Sequence, residues 1–249
     1  KSFDTKVAQQ SDISAFVIDG LKFGKRKYTK LIIGDSNADI AATMAELLIV
    51  NVKEITFRKG SHSLDVIRRI LIACPNIRKL KFCRKSVRSE YYRFPTENLA
   101  LPALKLRELY LENVGSQVFH LLRNSTVEVL ECTIGRRICQ HEFVPEELGS
   151  FLGQQHGLTS LKLEGIAWNI NDMFENGNLD RMKFQLAKLS LNDVLIDATD
   201  TFTQFMKLHI ASIKIFELVR IEDFNFSQIL RQMHNLEELK VICTWLDIY

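Results

Sequence analysis

A six-residue pattern recurs along the chain, with apolar residues at positions one, four and six and mostly polar residues between them. The nine copies are Tyr28–Ile33, Val52–Phe57, Ile77–Phe82, Leu106–Leu111, Val127–Cys132, Leu158–Leu163, Leu186–Leu191, Ile213–Leu218 and Leu236–Val241. The first copy starts at residue 28 and the last at residue 236, eight steps later, so the mean spacing is 26 residues, with single steps of 21 to 31. The alternation from position four to position six predicts, in each copy, a strand with one buried face.

The segments between these six-residue copies, which we call hexamers, carry a different pattern. Apolar residues there recur with helical spacing, which predicts a helix after most of the strands. The predicted helices are Asp39–Leu48, Leu64–Ala73, Ser116–Arg123, Pro145–Gln154, Ala198–Leu208 and Phe224–Met233. A strand followed by a helix cannot bury its apolar side alone, so we expect neighbouring units to stack into a parallel sheet.

The hexamer and its spacing resemble the LxxLxL core of leucine-rich repeat proteins, whose repeats run to about 20–29 residues. The resemblance implies an α/β fold, a right-handed solenoid shaped like a horseshoe, with parallel strands on the concave side and helices on the convex side. Three residues past the hexamer, that family usually carries Asn or Cys, whereas this chain has residues such as Ser36, Gly60 and Lys85 there. We therefore expect a twisted and irregular horseshoe.

The two ends of the chain depart from the pattern. Residues 28–249 are expected to form about nine strand units. Residues 1–27 contain no hexamer, and the spacing of Ile13, Phe16, Val17 and Leu21 predicts the helix half of a preceding repeat whose strand lies upstream. The segment Cys243–Tyr249 stops shortly after a strand, so we expect a truncated repeat at this end too.

Composition narrows the class of protein. The chain has 249 residues, 46% hydrophobic and 25% charged, which is typical of a globular protein with a real core. Its formal charge of +3 is too small to favour a specific nucleic acid ligand, and no apolar run reaches the ~20 residues of a membrane span. Five scattered cysteines do not form a disulfide framework, which favours a reducing compartment, the cytoplasm or the nucleus.

Motifs for catalysis or metal binding are missing from the sequence. The six histidines make no tight metal-binding pattern. Cys132, Cys139 and His141 come nearest to a metal cluster, but Cys132 occupies a core position of a hexamer, which favours a buried thiol. We therefore expect no catalytic residue, no metal and no cofactor, and we predict that the chain is not an enzyme.

Polar residues of the early hexamers suggest where a partner would bind. In a leucine-rich repeat the concave strand face is the usual ligand surface, and here the early copies make it basic while the later copies make it mixed to acidic. The candidate residues are Lys53, Thr56, Arg58, Lys79, Lys81, Arg84, Arg107 and Tyr110. Such a patch favours an acidic or phosphorylated segment of a protein partner; alternatively, the charges only keep an exposed sheet in solution.

A long connection after the third hexamer is a second candidate for protein binding. It runs over residues 83–105 and carries Arg88, Tyr91, Tyr92 and Arg93. Arginine together with aromatic residues is typical of binding hot spots. The same composition also suits a solvated loop with a few packed aromatic side chains.

The irregular units and reduced cysteines are similar to those of substrate-recognition subunits in which leucine-rich repeats follow an F-box. The stretch Arg26–Gly34 is also similar to the first repeat after the F-box in such proteins. Membership would imply that the repeats bind a substrate protein, and that an F-box upstream of Lys1 binds the adaptor and cullin of a ubiquitin ligase. An intracellular scaffold or inhibitor with leucine-rich repeats and no F-box is the alternative.

Overall fold

The protein has an α/β fold with parallel strands. A computed structural model describes residues 2–4, 28–34, 51–58, 63–83, 101–135, 143–165, 169–197, 200–221 and 224–242. The chain divides into two compact units, Lys1–Thr126 and Val127–Tyr249.

The described residues of the first unit form five parallel strands that pair in chain order, each with the next. The strands are β1 (Ser2–Asp4), β2 (Lys30–Ile33), β3 (Glu54–Phe57), β4 (Lys79–Phe82) and β5 (Lys105–Glu112). Its described helices are α1 (Leu64–Ala73), between β3 and β4, and α2 (Gln117–Leu122), after β5.

The second unit repeats this arrangement of parallel strands in chain order. Its strands are β6 (Thr126–Thr133), β7 (Ser160–Glu164), β8 (Lys188–Asn192), β9 (Ile215–Val219) and β10 (Glu238–Ile242). The helices described here are α3 (Pro145–Gly153), a 3₁₀ helix (Ile170–Phe174), α4 (Asn178–Arg181), α5 (Asp200–His209) and α6 (Ser227–Leu230).

All nine hexamers contain a strand, and most of these strands begin at the third position of the hexamer. The reason is that the backbone carbonyl oxygen at position two accepts hydrogen bonds from two successive N–H groups of the next hexamer. The carbonyl oxygen of Thr29 accepts hydrogen bonds from the N–H groups of both Lys53 and Glu54, at 2.9 and 3.0 Å. The carbonyls of Lys53, Arg78, Thr159, Ala187 and Lys214 each accept the corresponding pair of N–H groups from the next strand.

Because the register is kept from strand to strand, equivalent hexamer positions form rows across each sheet. In the first unit, position four forms a fully buried row of Leu31, Ile55, Leu80 and Leu109. Position six forms a second buried row, in which the rings of Phe57 and Phe82 stack with their centroids 5.0 Å apart. These rows are the core of the unit, and burial of each such side chain contributes roughly 1.5–3 kcal/mol.

The start of the chain differs from the prediction. A strand, β1, lies at Ser2–Asp4 and pairs with β2, although we placed the strand of this segment upstream of Lys1. Three residues carry too short a pattern for a hexamer to be recognised. The helices predicted from Ile13 to Leu21 and over Asp39–Leu48 lie outside the described residues.

The predicted helices agree with the structure to different degrees. The prediction of Leu64–Ala73 is confirmed to the residue, and Pro145 begins α3 as a proline can in a first turn. The helix predicted over Phe224–Met233 is reduced to α6, because the Asn225 side chain accepts the Ser227 N–H and the N–H groups of Gln232 and Met233 donate to carbonyls only three residues back. The 3₁₀ helix and α4 were not predicted.

The backbone turns in the same way after several strands. Asn113, Asp193 and Arg220 have φ angles of 53°, 53° and 51°, and each lies seven residues after the first residue of its hexamer. The N–H groups of Asp193 and Arg220 donate to Val219 and Ile242, the last residues of the next strands. The Arg220 guanidinium also pairs with the carboxylate of Asp193, so two adjacent turns are tied together.

No helix in the described part of the chain is both long enough and apolar enough to cross a membrane.

Close packing in the second unit requires glycine at one position of α3. A Cβ atom on Gly149 would lie 1.7 Å from the carbonyl oxygen of Met173 in the 3₁₀ helix. The buried side chain of Asn178 donates to the carbonyls of Glu146 and Met173, both at 3.2 Å, and so connects α3 with the 3₁₀ helix. The backbones of these elements can approach this closely only without a side chain at residue 149.

We predict that Gly149→Ala lowers the free energy of unfolding by about 2 kcal/mol or more, because the added methyl forces α3 away from Met173. The matched control is Gly157→Ala, where a Cβ atom meets nothing within 4 Å. Urea denaturation followed by circular dichroism measures both. Equal stability of the two variants would contradict the packing described here.

A buried histidine lies in the core of the second unit. His209 is fully buried, its ring stacks on Phe184 at 5.0 Å and meets the edge of Phe205 at 4.7 Å, and neither ring nitrogen has a partner in the described structure. Burial lowers the pKa of His209 from 6.5 to about 4, so the ring is neutral at physiological pH.

The lowered pKa makes stability depend on pH in a defined direction. Between pH 6.5 and pH 4 the unfolded chain binds a proton that the folded chain does not, so stability is complete above pH 6.5 and falls as the pH drops. From pH 7.5 to pH 5 we expect this histidine to cost about 2 kcal/mol of unfolding free energy. Urea titrations at both pH values should show that loss in the wild type and a smaller loss in His209→Phe. Equal losses would exclude His209 as the cause.

Candidate functional site

The solvent-facing side of the strands in the first unit carries a row of alternating charge. Position three of four successive hexamers holds Lys30, Glu54, Lys79 and Glu108, which are in register across β2, β3, β4 and β5. The Lys30 ammonium lies 2.7 Å from a Glu54 oxygen, and the Lys79 ammonium lies 2.6 Å from a Glu108 oxygen. We call these four residues the charge ladder.

Tyr110 completes this arrangement on β5. Its hydroxyl donates to Glu108 Oε2 at 2.8 Å, the same oxygen that Lys79 contacts. The ammonium of Lys79 lies 4.8 Å from the centroid of the Tyr110 ring, and that of Lys81 lies 5.9 Å from it. A cation over an aromatic face gains about 0.5–1 kcal/mol at an exposed site, so the ring holds both lysines near β5.

Contacts in the charge ladder change the pKa values of Glu108 and Lys79 in opposite directions. The hydrogen bond from Lys79, followed by that from Tyr110, holds the pKa of Glu108 below its ordinary value. The hydrogen bond to Glu108 raises the pKa of Lys79. Both groups are therefore charged at neutral pH and compensate each other, although a part-exposed pair of this kind adds only about 0–1 kcal/mol to stability.

Four of the residues that we predicted for the strand face, which lie on β3, β4 and β5, differ in what they offer to a partner. Lys79, Lys81 and Tyr110 lie together, as expected, but Lys79 is paired with Glu108 and does not offer a free charge. Thr56 is only 8% exposed, beside the equally buried Ile32 of the neighbouring strand, and so presents little surface to a partner. This corrects the expectation that Thr56 is accessible.

The remaining predicted residues lie elsewhere. Lys53 and Arg107 are exposed at position two of their hexamers, on the N-terminal side of the charge ladder. Arg58 is half-buried and directly follows β3. The predicted residues Arg84, Arg88, Tyr91, Tyr92 and Arg93 lie outside the described part of the chain.

Three residues of this surface escaped the sequence prediction, which named no acidic residue in the early hexamers and did not include Arg78. Glu54 and Glu108 neutralise the lysines beside them, and Arg78 is exposed between Lys53 and Arg107. A signal was present, because position three of the hexamers reads Lys, Glu, Lys, Glu. Its meaning depends on the strand register, which the sequence does not provide.

The thiols of the described cysteines are poor candidates for a reactive nucleophile. Cys83, which follows β4, has a pKa raised by burial, and the nearby cations Lys81 and Arg58 offset this only in part. Burial raises the pKa of Cys74 to about 11 and that of Cys132 to about 12, so both thiols stay protonated and unreactive. Among the described residues, no group of three His, Cys, Asp or Glu side chains could hold a metal ion.

The solvent-facing charges of the second unit are largely paired. Lys188 lies 2.9 Å from Glu217, Lys162 lies 3.1 Å from Glu164, and Lys214 lies 2.8 Å from Glu237. Position two of the hexamers described in this unit carries no basic row like the one formed by Lys53, Arg78 and Arg107. At position two of the described hexamers, the cations without an ion pair therefore lie in the first unit.

Comparison of the chain with protein-family models, with curated proteins and with solved structures gives no match. Function is therefore inferred from the residues themselves. The arrangement on the first sheet offers charged and aromatic groups at its surface, which suits reversible binding of a charged segment.

We predict that Tyr110→Phe raises the pKa of Glu108, because one of the two hydrogen bonds to its carboxylate is lost. Lys79→Met should raise that pKa further, since the bond from Lys79 is the larger cause. Side-chain carboxyl NMR across a pH titration measures both effects. Tyr28→Phe removes a hydroxyl from the first residue of the first hexamer, two residues before β2, and as the control should leave the pKa of Glu108 unchanged. No response to either test variant would contradict the charge ladder.

Proposed function

We propose that this chain is a leucine-rich repeat solenoid that binds a protein partner through the solvent-facing side of its strands. Membership of that family would place the strands on the concave side and the helices on the convex side of a right-handed horseshoe. The observation that supports the proposal is the pair of hydrogen bonds accepted by the carbonyl at position two. This pair recurs at the same hexamer position in both units. A repeated unit stacked in this way exposes rows of side chains that vary without disturbing the core.

The proposal includes the role of substrate recognition in a ubiquitin ligase of the F-box type. This part rests on the resemblance of the irregular hexamers and of Arg26–Gly34 to F-box proteins with leucine-rich repeats. In that role the chain would hold the substrate and contribute no catalytic residue, while an F-box elsewhere in the protein would bind the adaptor and cullin.

A scaffold or inhibitor with leucine-rich repeats is the second candidate. The charge ladder and the exposed cations of the first unit suit that role equally, because both roles require only a specific protein surface. The two candidates differ in whether a ligase assembles on the protein.

Affinity capture of the native protein from cells, followed by mass spectrometry, separates the two candidates. We expect recovery of a cullin and its adaptor with the native protein, and their loss when the captured protein is reduced to Lys1–Tyr249. Proteins retained by Lys1–Tyr249 would be candidate substrates. Recovery of a partner without any ligase component would exclude the F-box role and favour the scaffold or inhibitor.

A further inference from the structure

Three exposed basic residues form a row beside the charge ladder. Lys53, Arg78 and Arg107 occupy position two of successive hexamers, and we call them the basic row. Their backbones are in register, because the Arg78 N–H donates to the Lys53 carbonyl at 2.8 Å and the Arg107 N–H donates to the Arg78 carbonyl at 2.7 Å. Neighbouring strands lie about 4.8 Å apart, so the row spans roughly 10 Å.

The basic row differs from the charge ladder in its ion pairs, although the charge of Arg107 contributes to lowering the pKa of Glu108. In the charge ladder each lysine has a glutamate partner, whereas no member of the basic row forms an ion pair within the described ranges. The Arg78 guanidinium donates at 3.2 Å to the carbonyl of Lys105, an exposed residue that adds a fourth positive charge at the start of β5. This bond directs Arg78 toward β5 and therefore toward Arg107.

The equivalent row of the second unit has a different character. Position two there holds Glu128, Thr159, Ala187, Lys214 and Glu237. The only cation of that row, among the residues described, is Lys214, and it is paired with Glu237. Since stacking needs only the backbone at position two, a continuous positive charge in the first unit is not required by the fold.

We propose that the basic row binds an extended acidic segment of a protein partner; this deepens the proposed function and rests on it. In an extended peptide, every second residue points to the same side, about 6.8 Å apart. Two carboxylates at that spacing fit within the roughly 10 Å of the row and can each meet a long, mobile cation. Arginine can bind a carboxylate with two parallel hydrogen bonds, which favours Arg78 and Arg107 as the principal contacts.

Nucleic acid fits this surface less well. Proteins that bind duplex DNA tightly contact roughly 6–10 phosphates, whereas the basic row offers three cations and Lys105 a fourth. Glu54 and Glu108 follow immediately on β3 and β5, and each carboxylate would repel a second line of phosphates. A short acidic peptide requires only the few cations of the row and brings no second line of charge against these carboxylates.

The test measures binding of a fluorescein-labelled peptide with glutamate at every second position and serine between, by fluorescence anisotropy with the full chain. We expect the glutamate peptide to bind about tenfold more tightly than the same peptide with glutamine, and to weaken between about 50 mM and about 300 mM salt. The triple variant Lys53→Gln, Arg78→Gln, Arg107→Gln should bind about tenfold more weakly than the wild type.

Matched variants make the result specific to the row. Lys183→Gln, Lys207→Gln and Arg231→Gln together remove the same charge from exposed positions of the second unit and should leave binding within about twofold. Arg78→Lys with Arg107→Lys keeps the charge but loses the paired hydrogen bonds of arginine, so it should bind more weakly than the wild type and more tightly than the triple variant, while circular dichroism reports the fold of each variant.

The proposal is overturned if the triple variant binds the glutamate peptide as well as its matched control does, or if glutamine and glutamate peptides bind alike. It is also overturned if single-stranded oligothymidine binds the row more tightly than the peptide does, since the ligand would then be nucleic acid. Each of these results concerns the site alone, because the capture experiment tests the protein-binding function independently.

Discussion

One backbone interaction fixes the arrangement on which the other features depend: a carbonyl at position two of the hexamer accepts two N–H groups from the next strand. Thr29, Lys53 and Arg78 provide it in the first unit, and Thr159, Ala187 and Lys214 in the second. Because the side chains of a strand alternate between faces, a slip of one residue would move Leu80 or Leu189 out of the core. The two hydrogen bonds to one carbonyl at a fixed position, together with the buried rows, exclude that slip.

Fixed register turns the charges of the sequence into rows, and the rows determine what the surface can bind. The sequence neighbours of Lys79 favour a basic patch, but its neighbours in space are Glu54 and Glu108. The exposed cations of the basic row form no ion pair among the described residues, and only Arg107 lies near a carboxylate whose pKa it lowers, that of Glu108, so most of their charge is available to another molecule. A pairing worth about 0–1 kcal/mol is small for stability, yet it decides which of the two rows attracts an anion.

The sequence predicts the elements of this fold better than it predicts their contacts. Helix α1 and the nine hexamer strands follow from local periodicity, which is strong over ten residues in Leu64–Ala73. Strand β1 is too short to show a period, and the Asn225 side chain accepts the Ser227 N–H at the first residue of α6, so the helix begins later than the apolar pattern predicts. The need for glycine at residue 149 and the burial of His209 depend on distant segments, so no local pattern indicates them.

The separation between core and surface explains how irregular hexamer spacing is compatible with regular strands. The steps between hexamers vary from 21 to 31 residues, and the difference is taken up by the connections, where added length costs little because loop-closure entropy grows only slowly. Position two contributes its backbone to the stacking and its side chain to the solvent, so Lys53, Thr159 and Ala187 all serve there. Binding residues can therefore change without loss of the fold, which is why substitution of the basic row should alter affinity while leaving stability nearly unchanged.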